Sequence, residues 1–155
     1  MIVLCIIDDL KVVSGFLTPL IAILAVYIAY QQYYINKQKL KLDLYEKRYR
    51  IFDETKKILL KINKEAKIDT IELRDFMFST NDRIFLFEPE INQFIMDIKE
   101  KAIALNSSEA NLRAQFSSDE RAEQAAKNSM LTKWFSFEYE NIEKRFLKYL
   151  DFKTL

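Results

Sequence analysis

The sequence predicts an all-α protein: one N-terminal transmembrane helix that continues into a long cytoplasmic helix, packed with two to four further helices as a small bundle. Three observations predict this fold. Residues 12–36 form a 25-residue run without a charged side chain. The 155 residues include one Gly and two Pro, which disfavours β-hairpins and bulges. Apolar residues recur at helical spacing over most of the remaining chain.

The charge-free run is long enough for one membrane crossing, because a bilayer core about 30 Å thick needs roughly 20 apolar residues. A buried helix of a soluble protein is one alternative, but such helices rarely stay apolar on every face for so long. A cleaved signal peptide is another, but this run passes directly into an aromatic and basic segment. We therefore predict a retained transmembrane helix, beginning near Thr18 and Pro19, a cap residue followed by a proline.

Basic residues are concentrated after the run. Lys11 alone precedes it, whereas six Lys and Arg residues lie within residues 37–50. Since cytoplasmic flanks are enriched in such residues, we predict an external tail (1–11), a span (12–36) and a cytoplasmic helical domain (37–155). The predicted anchors at the inner interface are Tyr27, Tyr30, Tyr33, Tyr34, Lys37, Lys39 and Lys41.

The first helix is predicted to continue to about Ala66, because no Gly or Pro interrupts it. A short second helix, IELRDFMFS, follows, capped by Asp69 or Thr70. The four apolar residues 84–87 are expected to be buried on nearly all sides, as an extended connector or a helical turn. The buried face of the first helix comprises Leu44, Tyr45, the stem of Arg48, Ile51, Phe52, Thr55, Ile58, Leu59, Ile62 and Ala66.

A third helix is predicted to open at Glu88 and Pro89. The polar segment 106–129 is predicted to contain turns at 106–108 and 117–119 around a weak helix. A last helix is predicted to end at Phe152. The apolar face of the third helix is Ile91, Phe94, Ile95, Ile98, Ala102 and Leu105. That of the last helix is Leu131, Trp134, Phe135, Tyr139, Ile142, Phe146, Tyr149 and Leu150.

The composition excludes several kinds of catalytic site. The chain has no His and one Cys, Cys5, which excludes Cys/His zinc sites, nucleophile pairs with His and intramolecular disulfides. A single Gly cannot form a glycine-rich phosphate loop. The 24 basic and 23 acidic residues nearly cancel, so overall charge does not indicate a nucleic-acid partner. We predict a non-enzyme without catalytic residues, metal or cofactor; carboxylate-only chemistry is the alternative.

Small and polar residues recur along the predicted span at alternating intervals of three and four. This seam stripe consists of Gly15, Thr18, Ala22, Ala25, Ala29, Gln32 and Asn36. In lipid, helices associate through close backbone approach at small residues and through side-chain hydrogen bonds. The stripe could arise by chance, because alanine is common in membrane helices. The functional interpretation is that it forms the seam of a parallel homo-oligomer. In a tetramer or pentamer the same stripe would line a central, uncharged and weakly selective pathway, as an ion channel.

The aromatic stripe of the last helix has two interpretations. Core packing is its ordinary role, and a base-stacking platform is the alternative, because aromatics beside Arg or Lys can hold nucleobases. The candidate ligand contacts are Arg74, Arg83, Trp134 and Arg145.

The block QQYYINKQKLKLDLYEKRY at 31–49, the later FLF and the ending FLKYLDF resemble a widespread set of uncharacterised small bacterial single-pass membrane proteins. The similarity covers roughly residues 18–152 and implies a location in the bacterial inner (plasma) membrane. The set carries no established reaction and no catalytic residues to transfer. In layout, the chain is also similar to membrane effectors of anti-phage defence operons, in which a short span is coupled to a cytosolic helical module gated by a partner's nucleotide signal.

Two functions follow as hypotheses. The first is an oligomeric membrane effector in anti-phage defence, either a gated pore or a membrane-disrupting protein. Its partners would be other copies of itself, the lipid bilayer, and a nucleotide, an oligonucleotide or a cytosolic protein. The second is a membrane-tethered helical adaptor that needs no pore.

Overall fold

The computed structural model describes the backbone of residues 2–113 and 118–151, and the side chains of residues 17–107 and 120–151. In that part of the chain all regular structure is helical, which confirms the all-α prediction. The chain divides into two compact units between Leu42 and Asp43. The helices are α1 (Ile2–Glu65), α2 (Thr70–Ser79), α3 (Arg83–Leu86), α4 (Pro89–Arg113) and α5 (Ser118–Leu150).

Helix α1 begins earlier than predicted. It starts at Ile2 and contains Pro19, so the predicted start near Thr18 and Pro19 is wrong, and residues 2–11 of the predicted tail are helical. A proline removes one intrahelical hydrogen bond and crowds the preceding turn. The apolar residues on both sides nevertheless keep the helical conformation.

The described part of the first unit exposes its apolar side chains. Every described side chain from Leu17 to Leu40 is exposed, including Ile23 at 67% and Val26 at 70%. Across the residues that the structure describes, no helix combines the length and the apolar character that a membrane crossing requires. The transmembrane helix at 12–36 stays a prediction, and the side chains of its first five residues lie outside the described set.

In the second unit, α1 has the predicted buried face. Ile51, Leu59 and Ile62 are completely buried. The helix ends at Glu65 because Ala66 adopts a left-handed conformation, with φ 52°. The predicted burial of Ala66 is therefore wrong, since this backbone reversal turns its side chain out to solvent.

Helix α2 forms where predicted. The Asp69 carboxylate accepts a hydrogen bond from the N–H of Ile71 at 3.4 Å, and the Glu72 carboxylate accepts one from the N–H of Asp69 at 3.4 Å. This reciprocal arrangement satisfies backbone donors that have no partner within the helix. Of the two predicted caps, Asp69 is the one that the structure uses.

The apolar segment 84–87 is less buried than predicted. Phe87 is buried, but Ile84 is 59% exposed and Phe85 is 88% exposed. The segment begins as the single turn α3, and one helical turn points successive side chains in different directions. Arg83, at 7% exposure, is buried in this turn instead.

The last two helices are longer than predicted. All six residues of the predicted face of α4 are buried, but the helix continues to Arg113, so the predicted turn at 106–108 is wrong. Helix α5 already begins at Ser118, so the predicted turn at 117–119 is wrong for Ser118 and Asp119, and it ends at Leu150 rather than at the predicted Phe152. Residues 114–117 and Phe152 lie outside the described residues. A polar segment can stay helical when its side chains face water.

The core of the second unit lies between these helices. Helices α4 and α5 pack against each other, and α2 and α3 pack against α4. Phe146 of α5 is completely buried, with its ring centroid 5.5 Å from that of Phe52 on α1 and 5.4 Å from that of Phe87. This aromatic cluster fixes α1 against α5 and the segment that follows α3.

Candidate functional site

The seam stripe lies on a continuous helical segment of α1. Its six described members are exposed, and Gly15 lies outside the described side chains. Intervals of three and four residues at about 100° per residue keep the stripe on one narrow face. Large exposed side chains such as Ile21, Ile23 and Val26 occupy the other faces. The small side chains on this face would let a second helix approach closely.

The predicted interface anchors follow the stripe along α1. Their side chains are exposed, except that Lys41 is half-buried. The Tyr27 hydroxyl accepts a hydrogen bond from the Gln31 amide at 3.0 Å. The exposed anchors are Tyr27, Tyr30, Tyr33, Tyr34, Lys37 and Lys39.

Two of the predicted ligand contacts are committed to local partners. Arg74 is exposed and pairs with Asp75 at 3.6 Å. Nη1 of Arg83 donates to the carbonyl of Thr80 at 3.0 Å, and its Nη2 lies 3.4 Å from Sδ of Met96. Burial lowers the pKa of the Arg83 guanidinium from its usual value, because a low-dielectric environment disfavours the charged form.

The other two predicted contacts meet around Phe94. The centroid of its ring lies 6.5 Å from that of Trp134 and 4.8 Å from Cζ of Arg145. Arg145 also donates two hydrogen bonds to the carboxylate of Glu138, at 2.8 and 3.0 Å. Arg74 and Arg83 make their contacts with other residues, Asp75 in one case and Thr80 and Met96 in the other. The four predicted ligand contacts therefore have three separate sets of neighbours.

Glu138 was missed by the sequence analysis. Its side chain is only 5% exposed, and removing a carboxylate from water is costly unless it is paired. The double hydrogen bond from Arg145 supplies that pairing. The available signal was a carboxylate within the apolar stripe of the last helix, seven residues before an arginine.

Arg48 contributes more than the predicted apolar stem. Its Nε donates to the carbonyl of Leu86 at 3.0 Å, and its Nη1 donates to the carbonyl of Tyr149 at 3.3 Å. Its guanidinium carbon lies 6.0 Å from the ring centroid of Phe87 and 5.8 Å from that of Tyr149. Carbonyls in the last turn of a helix have no intrahelical partner. One side chain of α1 therefore caps the C-terminal ends of both α3 and α5.

Exposed ion pairs reinforce the same packing. Lys56 of α1 contacts Glu143 of α5 at 2.7 Å, and Lys148 of α5 contacts Glu88 at 2.6 Å. Hydrogen bonds from these lysines lower the pKa of both carboxyl groups. Further pairs join Lys61 to Glu72 and Arg50 to Asp82.

Among the described side chains, no group of three or more His, Cys, Asp or Glu could hold a metal ion. No known protein family, curated protein or solved structure matches the chain. The resemblance to small bacterial single-pass membrane proteins therefore stays a prediction.

Proposed function

We propose that this protein is an oligomeric single-pass membrane effector. In this proposal residues 12–36 cross the bilayer, the seam stripe joins parallel copies, and residues 37–155 form a cytoplasmic module that controls the seam. The observation that carries the proposal is the exposed apolar surface of α1 from Leu17 to Ile28. A helix with apolar side chains on several faces is typical of one surrounded by lipid and by other helices.

The seam stripe supports self-association. Ala22, Ala25 and Ala29 present little more than backbone, so partner helices could approach closely over one heptad. Gln32 and Asn36 could then form hydrogen bonds between copies near the inner surface. With four or five copies around an axis, these polar groups would line a pathway without charged residues.

Control of the seam would pass through Arg48. A ligand shifts a conformational equilibrium only when it binds two arrangements with different affinities. Arg48 contacts the C-terminal ends of both α3 and α5, so a partner that displaces either end would change how α1 is held. Because the four predicted ligand contacts are dispersed, we favour a cytosolic protein over a nucleotide or oligonucleotide as the signal, within bacterial anti-phage defence.

Subunit counting in native membranes tests the seam. Ala25→Leu places a bulky side chain in the stripe, and Val26→Leu makes a smaller change on a neighbouring face. We expect wild-type protein and Val26→Leu to form the same oligomer by chemical cross-linking, and Ala25→Leu to be monomeric. An unchanged oligomer in Ala25→Leu would contradict the seam.

The tethered adaptor is the second candidate, and the dispersed ligand contacts and well-packed core of the second unit favour it. Replacing residues 12–36 by an unrelated monomeric span discriminates between the two functions. The effector should lose both membrane depolarisation and protection against phage, measured in cells that also carry the neighbouring genes. An adaptor should retain its protection.

A further inference from the structure

Two aromatic side chains near the turn between α2 and α3 are the most exposed large apolar residues in the described part of the chain. Phe85 is 88% exposed and Phe78 is 84% exposed. Ile84, between them in sequence, is 59% exposed. Isolated exposed apolar residues are ordinary, whereas exposed apolar residues that lie together are typical of a contact surface. These three lie within eight positions of the sequence. We call these three residues the apolar tip.

The turn that carries Ile84 and Phe85 is fixed by hydrogen bonds, a buried aromatic ring and an ion pair. The buried Arg83 donates to the carbonyl of Thr80, and its own carbonyl accepts the N–H of Phe87 at 3.0 Å. Phe87 is buried in the aromatic cluster. Asp82, which precedes α3, pairs with Arg50 of α1 at 3.4 Å. Ile84 and Phe85 therefore project from a fixed turn.

The turn that carries Ile84 and Phe85 contacts α1 near the start of the second unit. Nε of Arg48 donates to the carbonyl of Leu86, the residue after Phe85. Arg48 follows Asn36 by 12 residues. Even a fully extended chain of that length reaches only about 40 Å. The covalent connection therefore limits how far the contact between Arg48 and this turn can lie from Asn36, where the proposed span ends.

The carboxylates beside the apolar tip are paired. Asp82 pairs with Arg50, and Glu88 pairs with Lys148 at 2.6 Å. An anionic lipid surface would repel unpaired carboxylates at this place, and pairing reduces that repulsion.

We propose that the apolar tip inserts into the boundary between lipid headgroups and acyl chains, so that the second unit is attached to the membrane at a second point besides α1. Phenylalanine side chains are suited to this boundary because they bury apolar area at shallow depth. The inference rests on the proposed function for the existence of the span. It adds a lipid-contacting surface outside the span.

Quenching by lipids with brominated acyl chains tests the insertion in the full chain, reconstituted in nanodiscs. Trp134→Phe removes the single native tryptophan. Phe85→Trp, Phe137→Trp and Ile28→Trp are then introduced separately, and circular dichroism checks the helix content of each variant. Phe137, 58% exposed on α5, is the control for an exposed aromatic away from the tip. We expect brominated lipid to reduce emission about twofold or more for Phe85→Trp and Ile28→Trp, with little change for Phe137→Trp.

The three variants separate the possible failures. Quenching of Ile28→Trp without quenching of Phe85→Trp would overturn the insertion and leave the span intact. Absence of quenching in Ile28→Trp would overturn the span and the insertion together. A Phe85→Trp signal protected from aqueous iodide but not quenched by lipid would mean that protein covers the tip, which also overturns the insertion.

If Trp134→Phe disturbs folding, a nitroxide probe replaces the fluorescence. The probe is attached to Phe85→Cys or to Phe137→Cys in a Cys5→Ser chain that keeps Trp134. We expect the first site to be more accessible to oxygen than to a water-soluble nickel chelate, and the second to show the reverse. Equal accessibilities at the two sites would overturn the insertion.

Discussion

The two regions of α1 distribute their side chains differently. From Leu17 to Leu40 every described side chain is exposed, and between Leu17 and Ile28 the small residues of the seam stripe lie on one face and large apolar residues on the others. From Leu44 to Ile62 the residues are sorted by polarity, with buried apolar positions at helical spacing. Sorting by polarity suits a helix with water on one side. Sorting by size suits a helix whose surroundings are apolar on every side, where close approach decides association.

The largest difference between the regions should appear when an apolar side chain is truncated. Phe146→Ala removes a fully buried ring and should lower the free energy of unfolding of the second unit by about 3–5 kcal/mol. Leu24→Ala, at a site that is 53% exposed, should leave it nearly unchanged. Thermal unfolding in detergent, followed by near-ultraviolet circular dichroism, measures both. Equal losses would mean that Leu24 is part of the same core.

The next largest effect should come from Arg48. Arg48→Gln leaves two helix-terminal carbonyls without their donor and should cost about 1–3 kcal/mol. Arg48→Lys keeps the charge, but a lysine ammonium lacks the planar, forked donors that reach both carbonyls. It should therefore restore only part of the free energy of unfolding that Arg48→Gln loses. Arg50→Gln breaks one exposed pair and is the matched control, with an expected cost below about 1 kcal/mol. Equal effects at the two arginines would contradict the capping role.

A smaller effect, of opposite sign, is expected where α1 ends. Ala66 has φ 52°, a conformation that glycine adopts without a steric penalty. Ala66→Gly should therefore stabilise the second unit by about 0.5–1 kcal/mol, after allowing for the greater freedom of glycine in the unfolded chain. Ala102→Gly, in the buried interior of α4, is the control and should destabilise. The effect of each substitution on stability is measured as a shift in the midpoint of unfolding.

The smallest effect should be the acid dependence of the surface pairs. Hydrogen bonds from lysines lower the pKa values of Glu72, Glu88 and Glu143 in the folded state. Their stabilisation is present above the ordinary carboxyl pKa and is lost as the pH falls through the lowered folded pKa. A variant with all three residues changed to Gln should have a lower free energy of unfolding than the wild type at neutral pH. Its free energy of unfolding should also fall less when the pH is lowered, as measured by unfolding curves at a series of pH values. Parallel losses in both proteins would contradict the pairing.

The helical fold was predictable because its signals are local. The face of α4, the cap at Asp69 and the stripe of α5 follow from spacing and from residue types that favour helix starts. The errors occur where a local signal is weaker than the structure around it. Pro19 does not start a helix, and the polar residues after Leu105 do not end one. The left-handed conformation at Ala66 could not be predicted, because this conformation is usually signalled by a glycine and the residue is an alanine.

The candidate site was predictable only in part. Spacing alone places the seam stripe on one face of a helix. The two carbonyls that Arg48 contacts lie 38 and 101 residues further along the chain, so no local pattern could indicate them. The dispersal of the four ligand contacts likewise depends on how α2, α4 and α5 pack. The spacing of residues could not predict these tertiary contacts between distant segments.

Cysteine reactivity in native membranes tests the central claim, that the first region of α1 lies in lipid, most directly. Ile23 and Met130 have similar exposures, 67% and 73%, one in each unit. In a Cys5→Ser chain, Ile23→Cys should resist a water-soluble maleimide until the membrane is dissolved in denaturing detergent. Met130→Cys should react once the reagent has access to the cytoplasmic side. Equally rapid reaction of both sites in permeabilised, undissolved membranes would contradict the membrane span.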